Sequence, residues 1–172
     1  MRVRGWIPLL PVIASLGCNG RVGSFHTPQS LPPAGPAAVE DAVRQFAATV
    51  AHDVTQEGPI AWRKHFSDSP TFFMAVNGKL VFPSGQAAQQ AIPEIARTFK
   101  HIKLDWGDDL RVDTLTPELV VVATSYDEVL DYADGHREAV KGYFAGVAEL
   151  RNGQWRFRDV HWSAPVLAAR VP

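Results

Sequence analysis

Near the end of the chain the stretch "WRFRDVHWS", residues 155–163, sets an Asp and a His two positions apart. Side chains alternate along a strand, so Trp155, Phe157, Asp159, His161 and Ser163 share one side and Arg156, Arg158, Val160 and Trp162 the other. Asp159 and His161 then stand about 7 Å apart, near enough for the carboxylate to fix the imidazole tautomer and raise its pKa, directly or through water. An imidazole oriented in this way is a general base for an acidic carbon or for a water. The same two residues also do purely structural work when the His bonds a backbone carbonyl and the Asp caps a neighbouring element. The residues alone leave both readings open.

A second polar concentration is "TSYDEVLDYADGH", residues 124–136. Tyr126 and Glu128 share one strand face, Ser125 and Asp127 the other. An inward Tyr126 is a hydrogen-bond donor for a developing oxyanion; a strand tyrosine equally serves packing. Asp131, Asp134 and His136 surround a turn, where acids next to Gly are ordinary turn formers, so no metal site is expected. In "WGDD", Gly107 inside a strand predicts a bulge that re-aims Trp106 toward either core or pocket. No glycine-rich phosphate loop, dinucleotide fingerprint or nucleophile elbow occurs, so no cofactor is expected.

These residues need elements to position them. Val39, Val43, Phe46, Val50 and Val54 recur at helical spacing, with Glu40 and Asp41 expected in the first turn and Gly58 closing the helix. A short helix follows in "PIAWRKHF", offering Trp62 and Phe66 for packing, with His52 and His65 expected on solvated faces. "TFFMAVNGKLVF" is a hairpin around Asn77-Gly78. Residues 86–99 form a third helix with Pro93 inside it. From Ile102 the chain reads as four long strands joined by short turns, one of them a second Asn-Gly. Helices first, strands last and no βαβ alternation predict an α+β fold: a strongly bent antiparallel sheet with three N-terminal helices on its concave face.

The chain has 172 residues, 46% hydrophobic and 20% charged, with a formal net charge of -1. That suits one domain with a real core, and the interspersed charges provide no footprint for nucleic acid. Residues 1–17 read as a signal peptide, because Arg2 and Arg4 precede an apolar run too short to span a bilayer. Cys18, the only cysteine, follows directly. This junction resembles a bacterial lipoprotein signal, with Ser15 at the position usually held by leucine. The resemblance implies export across the inner membrane, acylation of Cys18 and a membrane-anchored protein facing the periplasm or the cell surface. Residues 18–36, rich in Pro and Gly, read as a tether, 37–165 as the domain and 166–172 as a tail.

"GPIAWRKHF" after the first helix, the hairpin "FFMAVNGKLVFPSG" and the closing "YFAGVAELRNGQWRFRDVHWS" resemble the nuclear transport factor 2-like superfamily, which includes ketosteroid isomerase and the SnoaL-like cyclases. The resemblance spans residues 37–165. It implies a cone whose interior holds a small apolar molecule, with Trp62, Phe66, Phe72, Met74, Trp106 and Phe157 as its wall. Asp159, His161 and Tyr126 would then be its catalytic candidates. It leaves open a binding domain, an isomerase, cyclase or dehydratase with His161 as base, and a structural dimerisation module. Isomerase chemistry of that family also needs a base carboxylate from an earlier segment, and the hairpin offers only Asn77. The convex sheet face is implied as a homodimer surface, with Arg156, Arg158 and Trp162 turned toward it.

Overall fold

The computed structural model describes residues 35–165. The signal segment, Cys18, the tether up to residue 34 and the tail after residue 165 lie outside the described residues. Helix α1 (Pro36–Glu57) buries one stripe of Val39, Val43, Phe46, Val50 and Val54. Pro36 opens it, supplying a preset φ where no intrahelical N–H is needed, and this start moves Glu40 and Asp41 beyond the first turn. Gly58, at φ 74°, ends it. A 3-10 turn (Gly58–Ala61) and the short α2 (Trp62–His65) follow, and Trp62 stacks on Phe66 at 4.9 Å.

Strands β1 (Phe73–Val76) and β2 (Lys79–Phe82) are joined by Asn77 and Gly78 at φ 49° and 77°, the two left-handed residues of a type I′ turn. Helix α3 (Gly85–Thr98) begins where Ser84 Oγ accepts the Ala87 N–H at 3.2 Å, and it accommodates Pro93 without ending. The remaining strands are β3 (Phe99–Trp106), β4 (Arg111–Thr116), β5 (Leu119–Tyr132), β6 (Arg137–Arg151) and β7 (Gln154–Ser163).

The strands form one sheet in the order β2-β1-β7-β6-β5-β3, with β4 also on β5. One pairing departs from the expected antiparallel pattern: β1 runs parallel to β7, so the sheet is mixed. The single strand expected after Ile102 is also broken in two. Gly107 N–H bonds Ser125 O at 2.8 Å, and Asp109 Oδ1 accepts from Ser125 N and Oγ at 2.8 Å and from Thr124 Oγ1 at 3.1 Å. A Cβ on residue 107 would sit 2.0 Å from Ser125 Oγ, so only glycine fits this crossing. β3 and β4 pair with successive halves of the same edge of β5, and the break between them lets the sheet bend under α1, which packs on both. The core includes the fully buried Phe66, Phe72, Phe144 and Phe157, and Phe46 of α1 reaches Phe157 of β7 at 4.9 Å.

Candidate functional site

The inward positions of β5 run Thr124, Tyr126, Glu128, Leu130, Tyr132. Thr124 is sealed in the core, but from Tyr126 onward the sheet and the helices part around a cavity of about 880 Å³. Trp62 and Phe66 from the α2 region, Ile92 and Ile95 from α3, and Met74 and Val76 from the hairpin form its apolar side. Tyr126 lies over β6 because its partner there is Gly142, where a Cβ would come within 2.6 Å of the tyrosine oxygen.

Two polar features stand out in this apolar space. Glu128 lines the cavity with Val140 and Leu104 as its cross-strand neighbours, and burial first, then the charge of Glu138, pushes its carboxyl up to about 7. Among the described residues no hydrogen bond or ion pair relieves it. Trp162, 6% exposed, packs against Trp106, Trp62, Tyr126 and Phe144, and its buried Nε1–H has no acceptor among the described residues. Trp106, by contrast, donates its Nε1–H to Ala47 O at 2.8 Å. At the exposed end Tyr132 donates to Glu138 at 3.1 Å, while Lys141 is drawn to Asp127 at 2.7 Å. Burial and the nearby Glu128 raise the Tyr126 phenol above its ordinary value, so it is a neutral donor at any physiological pH.

A scan against protein-family models returns no match, and neither does a sequence search of curated proteins. Solved structures do match in shape. A nuclear transport factor 2-like superfamily protein from Salmonella enterica superposes with a TM-score of 0.66 at 14% identity, covering 80% of this chain and 98% of that one. A candidate scytalone dehydratase from Novosphingobium aromaticivorans gives 0.65 at 11% identity over 76% and 86%. A hexachlorocyclohexane dehydrochlorinase from Novosphingobium barchaimii gives 0.57 at 12% identity over 79% and 96%. The domain has the nuclear transport factor 2-like fold. At such identities the likeness is one of fold, and any chemistry has to come from the residues in place.

Within this nuclear transport factor 2-like cone the site residues expected from sequence divide. Trp62, Phe66, Met74 and Tyr126 line the cavity. Phe72 and Phe157 are fully buried in the packed core, and Trp106 is half-buried against it, so these three do not reach the open space. Asp159 and His161 do not face inward. Val147 pairs with Asp159 and Ala148 with Phe157, which leaves Arg158 as an extra, unpaired residue in β7. This bulge shifts the alternation by one: Phe157 points in before it, Val160 and Trp162 after it, and His161 is exposed on the outer surface. Asp159 is half-buried opposite Val147 and Phe73, its pKa raised by burial, and no hydrogen bond joins it to His161. Trp162, expected on the outer face, is instead the aromatic centre of the interior.

The turn cluster also disperses. Asp134 accepts from the His136 backbone N–H at 3.1 Å and contacts its Nδ1 at 2.6 Å, while Asp131 faces Arg137 and His101. His65, expected on a solvated face, is 6% exposed beside Phe46, with Nε2 3.1 Å from Asp53 Oδ2. Burial holds its pKa below the ordinary imidazole value in spite of that carboxylate. It borders a second, more open groove of about 920 Å³ at the β6–β7 turn end of the domain, with Trp155, Arg63 and Arg156 and a more polar wall. The residue that sequence reasoning passed over is Glu128. Its signal was there: a lone carboxylate between Tyr126 and Leu130 on an otherwise aromatic and aliphatic strand face.

Proposed function

We propose that the domain binds a small, largely apolar molecule inside its cone. The observation that carries this reading is the cavity of about 880 Å³, apolar on most of its wall, which holds a part-buried Glu128 and adjoins a buried indole N–H, neither of which has a partner among the described residues. A space of that size matches a small ligand, and a few polar groups set among apolar walls are what orient one. Two proteins of similar fold support the size class, since their names specify scytalone and hexachlorocyclohexane, both small molecules. In this reading Trp62, Phe66 and Met74 supply apolar contact, and Tyr126 and Trp162 offer hydrogen bonds. The alternative of a His161 base oriented by Asp159 has no geometry to support it, because His161 lies outside the cone.

The uncharged dye Nile red tests the proposal. We expect saturable, blue-shifted fluorescence that adamantanol displaces and that Val140→Trp, which fills the cavity from β6, removes while circular dichroism stays unchanged. Dye binding that ignores Val140→Trp would overturn it. From the sequence we also propose export and anchoring through acylated Cys18, to be read from the mass of the mature N-terminus. Pairing of two copies across the outer sheet face belongs to the same proposal. Phe73 and Tyr143, 43% and 42% exposed, stand there in place of Trp162.

A further inference from the structure

The polar groups around Glu128 are unbalanced in charge. On its own strand Tyr126 and Leu130 flank it at the next inward positions, with Tyr132 one inward position further; on β6 Val140 lies opposite, with Glu138 and Lys141 beyond. From β3 come Leu104 and Ile102, from α2 and α3 Trp62, Ile92 and Ile95. From the hairpin comes Asn77, whose Oδ1 is already taken by the Ala164 N–H at 2.8 Å. Among the described residues the one cation lining the cavity, Lys141, is 2.7 Å from Asp127. The cavity therefore contains two carboxylates, Glu128 part-buried among apolar neighbours and Glu138 nearer the exposed end, and among the described residues no cation is paired with either.

An anion in such surroundings is costly unless something of opposite charge meets it. A ligand carboxylate would add a third negative group, and a neutral ligand would leave the imbalance in place. A protonated amine removes it, donating to Glu128 while its charge faces the rings of Trp62, Trp162, Tyr126 or Tyr132, which attract cations through their electron-rich faces. Resting on the cavity-binding reading above, we infer that the ligand is a lipophilic amine whose ammonium group is held by Glu128, with Glu138 as the outer carboxylate. The hydrocarbon body then fills the space between Met74, Ile95 and Leu130. The acid-lined end selects against fatty acids and other amphipathic anions.

A set of probes with one hydrocarbon cage and different polar groups provides the test: aminoadamantane, adamantanol, adamantanone and adamantanecarboxylate, titrated calorimetrically at about pH 8, where Glu128 is ionised. We expect the amine to bind about tenfold or more tighter than the alcohol, and the carboxylate weakest of all. The amine's advantage shrinks toward about pH 6, because an alkyl amine stays charged there while Glu128, with a pKa of about 7, takes up a proton. Glu128→Gln brings the amine down to the level of the alcohol and leaves the alcohol unchanged; Glu138→Gln does so in part. Should Glu128→Gln fail to fold, the pH profile of the unaltered protein and the Glu138→Gln variant carry the same test. Equal affinity for amine and alcohol, or tighter binding of the ketone, would overturn the amine inference and leave the cavity reading standing. Binding of none of the four would end both.

Discussion

The two halves of the cone are built on the same strands and the same inward alternation, yet one is solid and the other hollow. Toward the start of β5 the inward ladder is Val120 and Val122 facing Ala148 and Gly146, with Phe157 and Val160 beyond them on β7. Phe144 at 5.0 Å and Phe46 at 4.9 Å from Phe157 close the space, and Phe66 and Phe72 complete it. Toward the end of β5 the ladder is Tyr126, Glu128 and Leu130 facing Gly142, Val140 and Glu138. Gly142 and Val140 on β6 here meet a helix α3 whose Ile92 and Ile95 stay across the gap, and no side chain of the described residues fills it. The contrast teaches that stability and binding are assigned to different lengths of one strand: aromatic rings seal one end so that the other can stay open.

Four substitutions sharpen that comparison. The largest effect belongs to the solid half. Phe157→Ala removes a fully buried ring from rigid surroundings and should cost about 3–5 kcal/mol in urea denaturation. Ile95→Ala, on the wall of the hollow half, should cost less than about 1 kcal/mol, since it enlarges a space that already exists. Similar losses at the two sites would break the distinction.

The second effect is one of pH. Glu128 is raised from 4.5 to about 7 in the fold, so its contribution is fully present below 4.5 and is lost as pH rises through about 7. Glu128→Gln cannot ionise; it should therefore be more stable than the parent above neutrality, by up to about 3 kcal/mol, and equal to it in acid. Melting temperatures across that range read the crossover, and parallel curves for the two proteins would show that Glu128 is not desolvated. The smallest effect is expected at His161→Gln on the outer surface: less than about 0.5 kcal/mol in stability and no change in Nile red binding. A loss of dye binding there would return the histidine to the interior.

Much of this was legible in the chain. Periodicity marked α1 and its valine stripe, Asn-Gly marked both type I′ turns at Asn77 and Asn152, and helices followed by strands marked the fold class. The strand alternation also held along β5, where thirteen consecutive pairings with β6 run without a register shift. It failed in β7, where the inserted Arg158 turns the second half, Asp159 to Ser163, onto the opposite face from the one read. A bulge leaves little trace in composition, because the extra residue is an ordinary strand residue and only the partner strand reveals that it has no counterpart. One inserted residue exchanged His161 for Trp162 at the interior.

By itself the sequence determined the elements and the residues available to each face, because period, turn chemistry and capping are local properties of the chain. It also determined that an aromatic, Tyr126, and a carboxylate, Glu128, would share one face of β5. The tertiary structure decided which face of β7 is the inner one, that Glu128 sits part-buried with no partner among the described residues, and that Phe157 fills space while Tyr126 borders it. Each of these depends on what lies across a strand pairing or a gap, and the distances involved are set by chain segments up to a hundred residues apart. Register, burial and hollowness are relations between segments, and no segment contains them alone.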